Sequence, residues 1–338
     1  MQALVCKQPG ILDYCERDKP LLQPGHALIR IRNICICGTD LHAFEGTQPY
    51  FQYPRILGHE LSGELVAVSG APDFTIGERV TFLPYINCGT CIACRRGNEN
   101  CCVQLQVCGV HIDGGFVEYI SVPSRLLVHG EGLSFRELAL VEPLAIGAHG
   151  IARAQVQPGE FVLVIGAGPI GLGAMEFARV AGAQVIAIDV AEHRLTFSKT
   201  HIQVPYTINA SNSNALEQVR SITGGDMPTV VIDATGNQAA INQGLQYVAH
   251  GGRYVLIGLQ KGDLVFPHPE FHKRETTLLS SRNAKRADFE QVISSIKSGL
   301  IKPGAYINNV VKFGEVKDRF ASWLDPKAGV IKTVVEID

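Results

Sequence analysis

The stretch FVLVIGAGPIGLGAMEFARV, residues 161–180, decides the fold. Phe161 to Ile165 is a short apolar run that passes directly into Gly166-Ala-Gly168-Pro-Ile-Gly171, and from about Pro169 the apolar positions take up a helical period. Strand, glycine turn and helix in that order make the G-x-G-x-x-G unit of a dinucleotide-binding fold. Gly166 permits the tight turn, Gly168 removes the side chain that would block a pyrophosphate, and Gly171 lets helix and strand approach closely. Pro169 and Ile170 open the helix whose N-terminus faces the phosphates. The next apolar run, QVIAID, ends in Asp189, eighteen residues beyond Gly171. A carboxylate there accepts hydrogen bonds from the adenine ribose hydroxyls and repels a 2′-phosphate, so the expected cofactor is NAD and not NADP. The plainer alternatives are a helix N-cap for Asp189 and a solvated side chain for Arg194, which otherwise packs on adenine.

Outward from this unit the apolar runs continue as PYTI, TVVIDA, RYVLIG and TTLLS, each separated from the next by enough chain for a helix or a long connection. That rhythm predicts a doubly wound parallel sheet, one Rossmann domain over about 148–282. Upstream the period changes. Residues 27–34, ALIRIRNI, alternate, and short runs at 61–68, 78–83 and 116–122 are separated by Gly, Pro and Asp, which reads as irregular β structure over 1–147. The tail, 283–338, carries a helical pattern near 286–298 and is expected to rejoin the first domain. The expected class is therefore α/β, a β-rich domain beside a parallel-sheet domain.

At 338 residues, 46% hydrophobic and 18% charged, the chain has the composition of a globule with a sizeable core. A net charge of −2 removes long-range attraction to nucleic acid or to an anionic membrane, which points to a small-molecule partner. The uncharged stretch Phe161–Met175 falls short of the roughly 20 apolar residues that a spanning helix needs. The N-terminal MQALVCKQPG lacks the apolar run of a signal peptide, so a cytoplasmic protein is expected. All ten cysteines lie between Cys6 and Cys108, and in a reducing compartment such crowding favours metal binding over disulfides.

Cys88, Cys91, Cys94 and Cys102 have the form C-x2-C-x2-C-x7-C, which suits one tetrahedral zinc with no open coordination position, a structural site. Cys101 is a rival for the fourth ligand. A nucleic-acid zinc ribbon would need a basic run beside the loop, and none is present. A second constellation is dispersed: Cys37 in ICICGTDLH, His59 and Glu60 in ILGHEL, and Glu142 in VEPLAIG. It mixes sulfur, nitrogen and oxygen donors, as a catalytic zinc with a position open to water or substrate requires. Cys6, Cys15, Cys35, Cys101 and Cys108 read as small apolar side chains.

GHE, the four-cysteine loop, Glu-Pro and GAGPIG in this order resemble the zinc-containing medium-chain alcohol dehydrogenase superfamily over essentially the whole chain. ICGTDLH, GHE and EP are closer to its polyol and threonine dehydrogenase branch. QPYFQYPRILGHE, GVHIDGGF, DATGNQ and EFHKRETTLLSSRNA look like bacterial sugar-acid dehydrogenases of the L-galactonate 5-dehydrogenase type. The resemblance implies a GroES-like catalytic domain ahead of the Rossmann domain, one catalytic and one structural zinc, and NAD. It implies that Cys37, His59 and Glu60 hold the catalytic ion, with Glu142 ligating it or hydrogen-bonding its water, and that Cys102, at the G-x-x-N-x-C position, completes the structural site. It further implies a proton relay through Thr39 and His42. Phe44, His111, Phe116, Arg282 and Lys285 then fall in segments near the substrate, with Phe116 lining it and the Arg282 fork available to a carboxylate. The implied reaction takes hydride from a secondary hydroxyl of a sugar acid to NAD in a homo-oligomeric enzyme, with neutral polyols or L-threonine as alternative substrates. A non-enzymatic zinc and nucleotide sensor on the same scaffold would lack a ligand or relay residue, whereas Cys37, Thr39, His42, His59, Glu60 and Glu142 are all present.

Overall fold

A computed structural model describes residues 1–48, 51–211, 214–325 and 328–338; Pro49 and Tyr50 of the motif QPYFQYPRILGHE lie outside the described residues. The chain divides into two compact units, Met1–Glu142 with Lys285–Asp338, and Pro143–Ala284. The first boundary falls inside the helix Val141–Ala154, which accommodates Pro143 in its first turn, where proline removes no intrahelical hydrogen bond.

In the second unit the six apolar runs are six strands, Phe161–Ile165, Gln184–Asp189, Tyr206–Asn209, Val230–Asp233, Arg253–Leu256 and Thr277–Ser280. All pair in parallel, in the spatial order third, second, first, fourth, fifth, sixth. Val162, Leu163 and Val164 have no exposed surface, as a central strand covered on both faces requires. The chain winds outward in both directions from Phe161–Ile165, so the glycine turn at the end of that strand lies at the switch point where open α/β sheets bind ligands. Gly166 has φ +97°, and a Cβ on Gly171 would stand 1.8 Å from Gly166 O. Gly168 is different: its Cβ would meet nothing nearer than Arg194 Nη1, at 3.9 Å.

The first unit is built around the strand His26–Cys35, which pairs antiparallel with Glu60–Val68 on one side and with Lys332–Glu336 on the other. Arg79–Phe82 and Leu127–His129 extend one side of this sheet, and Ile307–Lys312 extends the other. The last residues of the chain thus complete a sheet begun near its start. Its core contains Leu4, Ile29, Ile31, Ile34, Leu57, Leu61, Leu65 and Phe116. Among the described residues no helix is long and apolar enough to cross a membrane.

The two glycines of the turn should separate in a stability measurement. Gly171→Ala, which drives a methyl group into backbone, is expected to lower unfolding free energy by about 2–4 kcal/mol. Gly168→Ala should stay within about 1 kcal/mol of the native protein, and equal losses for the two variants in chemical denaturation would contradict this account of the turn.

Candidate active site

The strand His26–Cys35 gives way to the helix Gly38–Glu45, and Cys37 is the extended N-cap between them. Glu60 is drawn to the same place by the sheet, since it pairs with Cys35 across the ladder. His59 precedes it after a turn at Gly58, whose φ of +94° and contact with the Phe116 ring leave no room for a side chain. One donor atom each from Cys37, His59 and Glu60 therefore lie within 4.8 Å of one another, with His59 and Glu60 buried. Asp40, itself buried, binds the two segments together: its Oδ2 accepts the Cys37 N–H at 2.9 Å and its Oδ1 accepts the Gly58 N–H at 3.1 Å.

Burial pushes the Cys37 thiol up, and the Glu60 charge adds to the shift while His59 opposes it. Burial works against charge on His59, but the Cys37 and Asp40 charges outweigh it and raise the imidazole well above its usual range. Among the described residues the buried Nδ1 of His59 has no hydrogen-bond partner, with Asp40 Oδ1 3.8 Å away. Glu60 Oε1 accepts from Lys332 Nζ at 2.7 Å, while Oε2, 2.5 Å from the same nitrogen, is left without a hydrogen bond. A half-buried sulfur beside a buried imidazole and a buried carboxylate fits a zinc ion with three protein ligands. Glu142 is not in that group. Its Oε1 accepts the Tyr85 hydroxyl hydrogen, and burial, reinforced by the nearby Glu60, pushes its carboxyl up to about 7 against the opposing effects of His59 and Tyr85.

Cys88, Cys91, Cys94 and Cys102 form a second group, again with donor atoms within 4.8 Å of one another. The Cys91–Cys94 sulfur separation is 3.5 Å, close to the edge of about 3.8 Å expected for a tetrahedron with Zn–S bonds near 2.3 Å. Backbone amides point at the sulfurs: Cys91 N–H at Cys88 Sγ, and Cys88 and Gln104 N–H at Cys102 Sγ. The N–H groups of Thr90 and Cys91 hold the Cys88 thiol down at about 6, which favours the thiolate. Cys101 faces solvent and is not a member.

In the second unit Asp189 is buried, and its oxygens accept the Ala167 and Ala191 N–H groups at 2.6 and 2.8 Å. These bonds orient the carboxylate and leave lone pairs for a ribose. Arg194 Nη1 lies 3.9 Å from it. The space in front of Gly168, with the N-terminus of the helix Pro169–Val180 beside it, fits a pyrophosphate. Thr39 and His42 stand three residues apart on the helix Gly38–Glu45, and His42, 63% exposed, has Nδ1 within 3.2 Å of Thr47 Oγ1 and 3.4 Å of Glu45 Oε2.

The expected substrate-side residues fare differently. Phe116 is 1% exposed in the core behind the His59 turn, so it supports the metal site and offers almost no surface to a substrate. Lys285 is committed to Asn98 Oδ1 at 2.7 Å, His111 Nδ1 accepts the Val107 N–H at 3.1 Å, and Phe44 packs on Phe320. Arg282 is exposed, just after the strand Thr277–Ser280. Asp40, Tyr85 and Lys332 are the site residues that sequence reasoning missed. The first has a signal in the third helical position after the Cys37 cap, and the last in a lone cation within the apolar run GVIKTVVEI.

Residues 23–131 match the alcohol dehydrogenase GroES-like domain and residues 169–298 the zinc-binding dehydrogenase domain. L-galactonate-5-dehydrogenase of Escherichia coli (strain K12) is 42% identical over 336 residues, covering 99% of this chain and 98% of that protein. Sorbitol dehydrogenase of Halalkalibacterium halodurans is 33% identical over 301 residues, 87% of this chain and 88% of that one. Among solved structures, an alcohol dehydrogenase of Escherichia coli CFT073 complexed with NADH superposes with TM-score 0.92 at 31% identity, covering 100% of this chain and 99% of that one.

Neighbouring cysteines provide a sharp test of the four-thiol loop. Cys102→Ser should lose about one zinc per chain and destabilise the loop, whereas Cys101→Ser should keep the native zinc content. Elemental analysis after gel filtration checks both, and zinc loss from the Cys101 variant would reverse the ligand assignment.

Proposed function

This chain belongs to the zinc-containing medium-chain alcohol dehydrogenases, and we propose that it oxidises a secondary hydroxyl of a sugar acid, an L-galactonate-like aldonate, with NAD as the hydride acceptor. The observation that carries the chemistry is the meeting of Cys37 with the buried His59 and Glu60, a mixed set of three donors that would leave a zinc ion one position for a substrate oxygen. The substrate class rests on the full-length similarity to a sugar-acid dehydrogenase. When bound, zinc supplies Lewis acidity at the reacting oxygen and NAD supplies the hydride acceptor.

The chain's own residues do the rest. Cys37, His59 and Glu60 hold the ion. Glu142, oriented by Tyr85, stands outside them as an acceptor for water or a substrate hydroxyl. Thr39 accepts the proton of the reacting hydroxyl while giving up its own hydroxyl proton, and His42, on the same face of the helix and open to solvent, takes up the relayed proton and delivers it to water. Asp189 selects NAD through the ribose, with Arg194 against the adenine, and the Gly166–Gly171 turn receives the pyrophosphate. Arg282 pairs with the sugar-acid carboxylate through its fork of donors. The working form is a homo-oligomer: the outermost strand Thr277–Ser280 pairs on one side only among the described residues and leaves Leu278 and Leu279 half-buried at the sheet edge.

NADH formation measured on L-galactonate, sorbitol and L-threonine is expected to give kcat/KM at least about 10-fold higher for the aldonate. Arg282→Ala should raise KM for the aldonate by about 10- to 100-fold, the loss of a charge-assisted hydrogen bond, with little change for sorbitol. Equal losses on both substrates would remove Arg282 from carboxylate recognition.

A further inference from the structure

We propose that Lys332, which is neither a metal ligand nor a substrate contact, is the positioning residue that preorganises the catalytic metal site by clamping Glu60 and the backbone that presents Cys37. The inference rests on the reading that Cys37, His59 and Glu60 hold zinc. Lys332 is 3% exposed and Glu60 is completely buried. An ammonium in such a place is strongly unfavourable unless it is paired and hydrogen-bonded, and Lys332 is both. Its Nζ donates to Glu60 Oε1 at 2.7 Å and to the carbonyl of Ile36 at 3.2 Å. One acceptor is the side chain of a ligand, and the other is the peptide group that leads into Cys37. A single amine therefore ties together the two segments that carry the hard and the soft ligand.

The sheet explains how a residue so distant in sequence reaches this point. Val334 pairs with Cys35 in the antiparallel ladder, on the opposite side of that strand from Glu60, and Ile36 N–H donates to Thr333 O at 3.0 Å. The side chain of Lys332 then reaches Glu60 past the end of the strand that separates them. An apolar residue would satisfy the same strand position, so the sheet alone does not call for a lysine. Nζ lies 2.7 Å from Oε1, to which it donates, and 2.5 Å from Oε2, so the ammonium grips both oxygens and fixes the plane of the carboxylate beside Cys37 and His59. Groups that hydrogen-bond metal ligands in this way typically contribute 10- to 100-fold to metal affinity.

The test uses the full-length zinc-loaded protein challenged with a chromogenic chelator, with zinc release followed over time. Lys332→Met is expected to release one zinc per chain about 10- to 100-fold faster than the native protein, with the other zinc leaving at the native rate. Lys332→Arg, which restores charge and donors, should recover most of the native retention. A folded Lys332→Met protein that releases zinc at native rates, or releases both ions faster to the same degree, overturns the proposal. If the Met variant does not accumulate in folded form, Lys332→Gln, neutral but able to donate to Glu60, serves in its place and is expected to fall between native and fully destabilised release. Cys37→Ser checks the underlying ligand assignment separately: it should be purified with one zinc fewer, and a full complement of zinc in that variant sinks the assignment whatever Lys332 does.

Discussion

Burying several acidic groups together is the constraint around which the first unit is organised. Cys37, Asp40, Glu60 and Glu142 converge in a region where water is largely excluded, and there like charges repel far more strongly than at a surface. Each carboxylate has its own answer. Asp40 takes two backbone N–H groups, Glu142 takes the Tyr85 hydroxyl, and Glu60 takes Lys332. The Cys37 sulfur, a His59 nitrogen and a Glu60 oxygen lie within 4.8 Å of one another. What remains after local satisfaction is a coordination set, and a divalent cation is the partner that answers its residual charge.

That arrangement depends on pairing between distant segments. Glu60 is placed by the strand it opens, Cys37 by the strand that precedes it, and Lys332 by a strand at the end of the chain. The site cannot be complete until the C-terminal strand has docked, so the chain must leave for the parallel-sheet unit and return before Glu60 acquires its final partner. The helix Val141–Ala154, which carries Glu142 in its first turn, is where that departure begins. Sequence-distant contacts of this kind fold more slowly than local ones but give side-chain positions that are fixed by a ladder and not by a loop.

The parallel-sheet unit was legible in the sequence almost strand by strand, because a strand buried on both faces must be continuously apolar and because a glycine turn against a pyrophosphate leaves few alternatives. The same holds for the four-cysteine loop, whose ligands are close in sequence. Legibility fails where a residue's task is set by tertiary neighbours. Tyr85 carries no sequence mark of its hydrogen bond to Glu142, and Phe116 could not be distinguished from a substrate-lining aromatic until its ring was seen packed against Gly58. Lys285 has the charge that a sugar acid would attract, yet it spends that charge on Asn98. Motif reading finds ligands; it does not find what orients them.

The two metal groups make that distinction concrete. The four-cysteine loop draws its ligands from fifteen consecutive residues and its amide donors from the same loop, so its geometry is local and its coordination closed. The Cys37, His59 and Glu60 group offers one donor residue fewer, and two of its members, Cys37 and Glu60, are hydrogen-bonded by Asp40 and by Lys332. An open coordination position is useful only if the remaining ligands do not collapse into it, and with three ligands the metal no longer enforces its own tetrahedron. The rigidity must then come from the protein. That is a physical reason for a catalytic group to be built at the crossing of a central strand, a helix cap and a returning C-terminal strand, while a structural ion can sit on a loop.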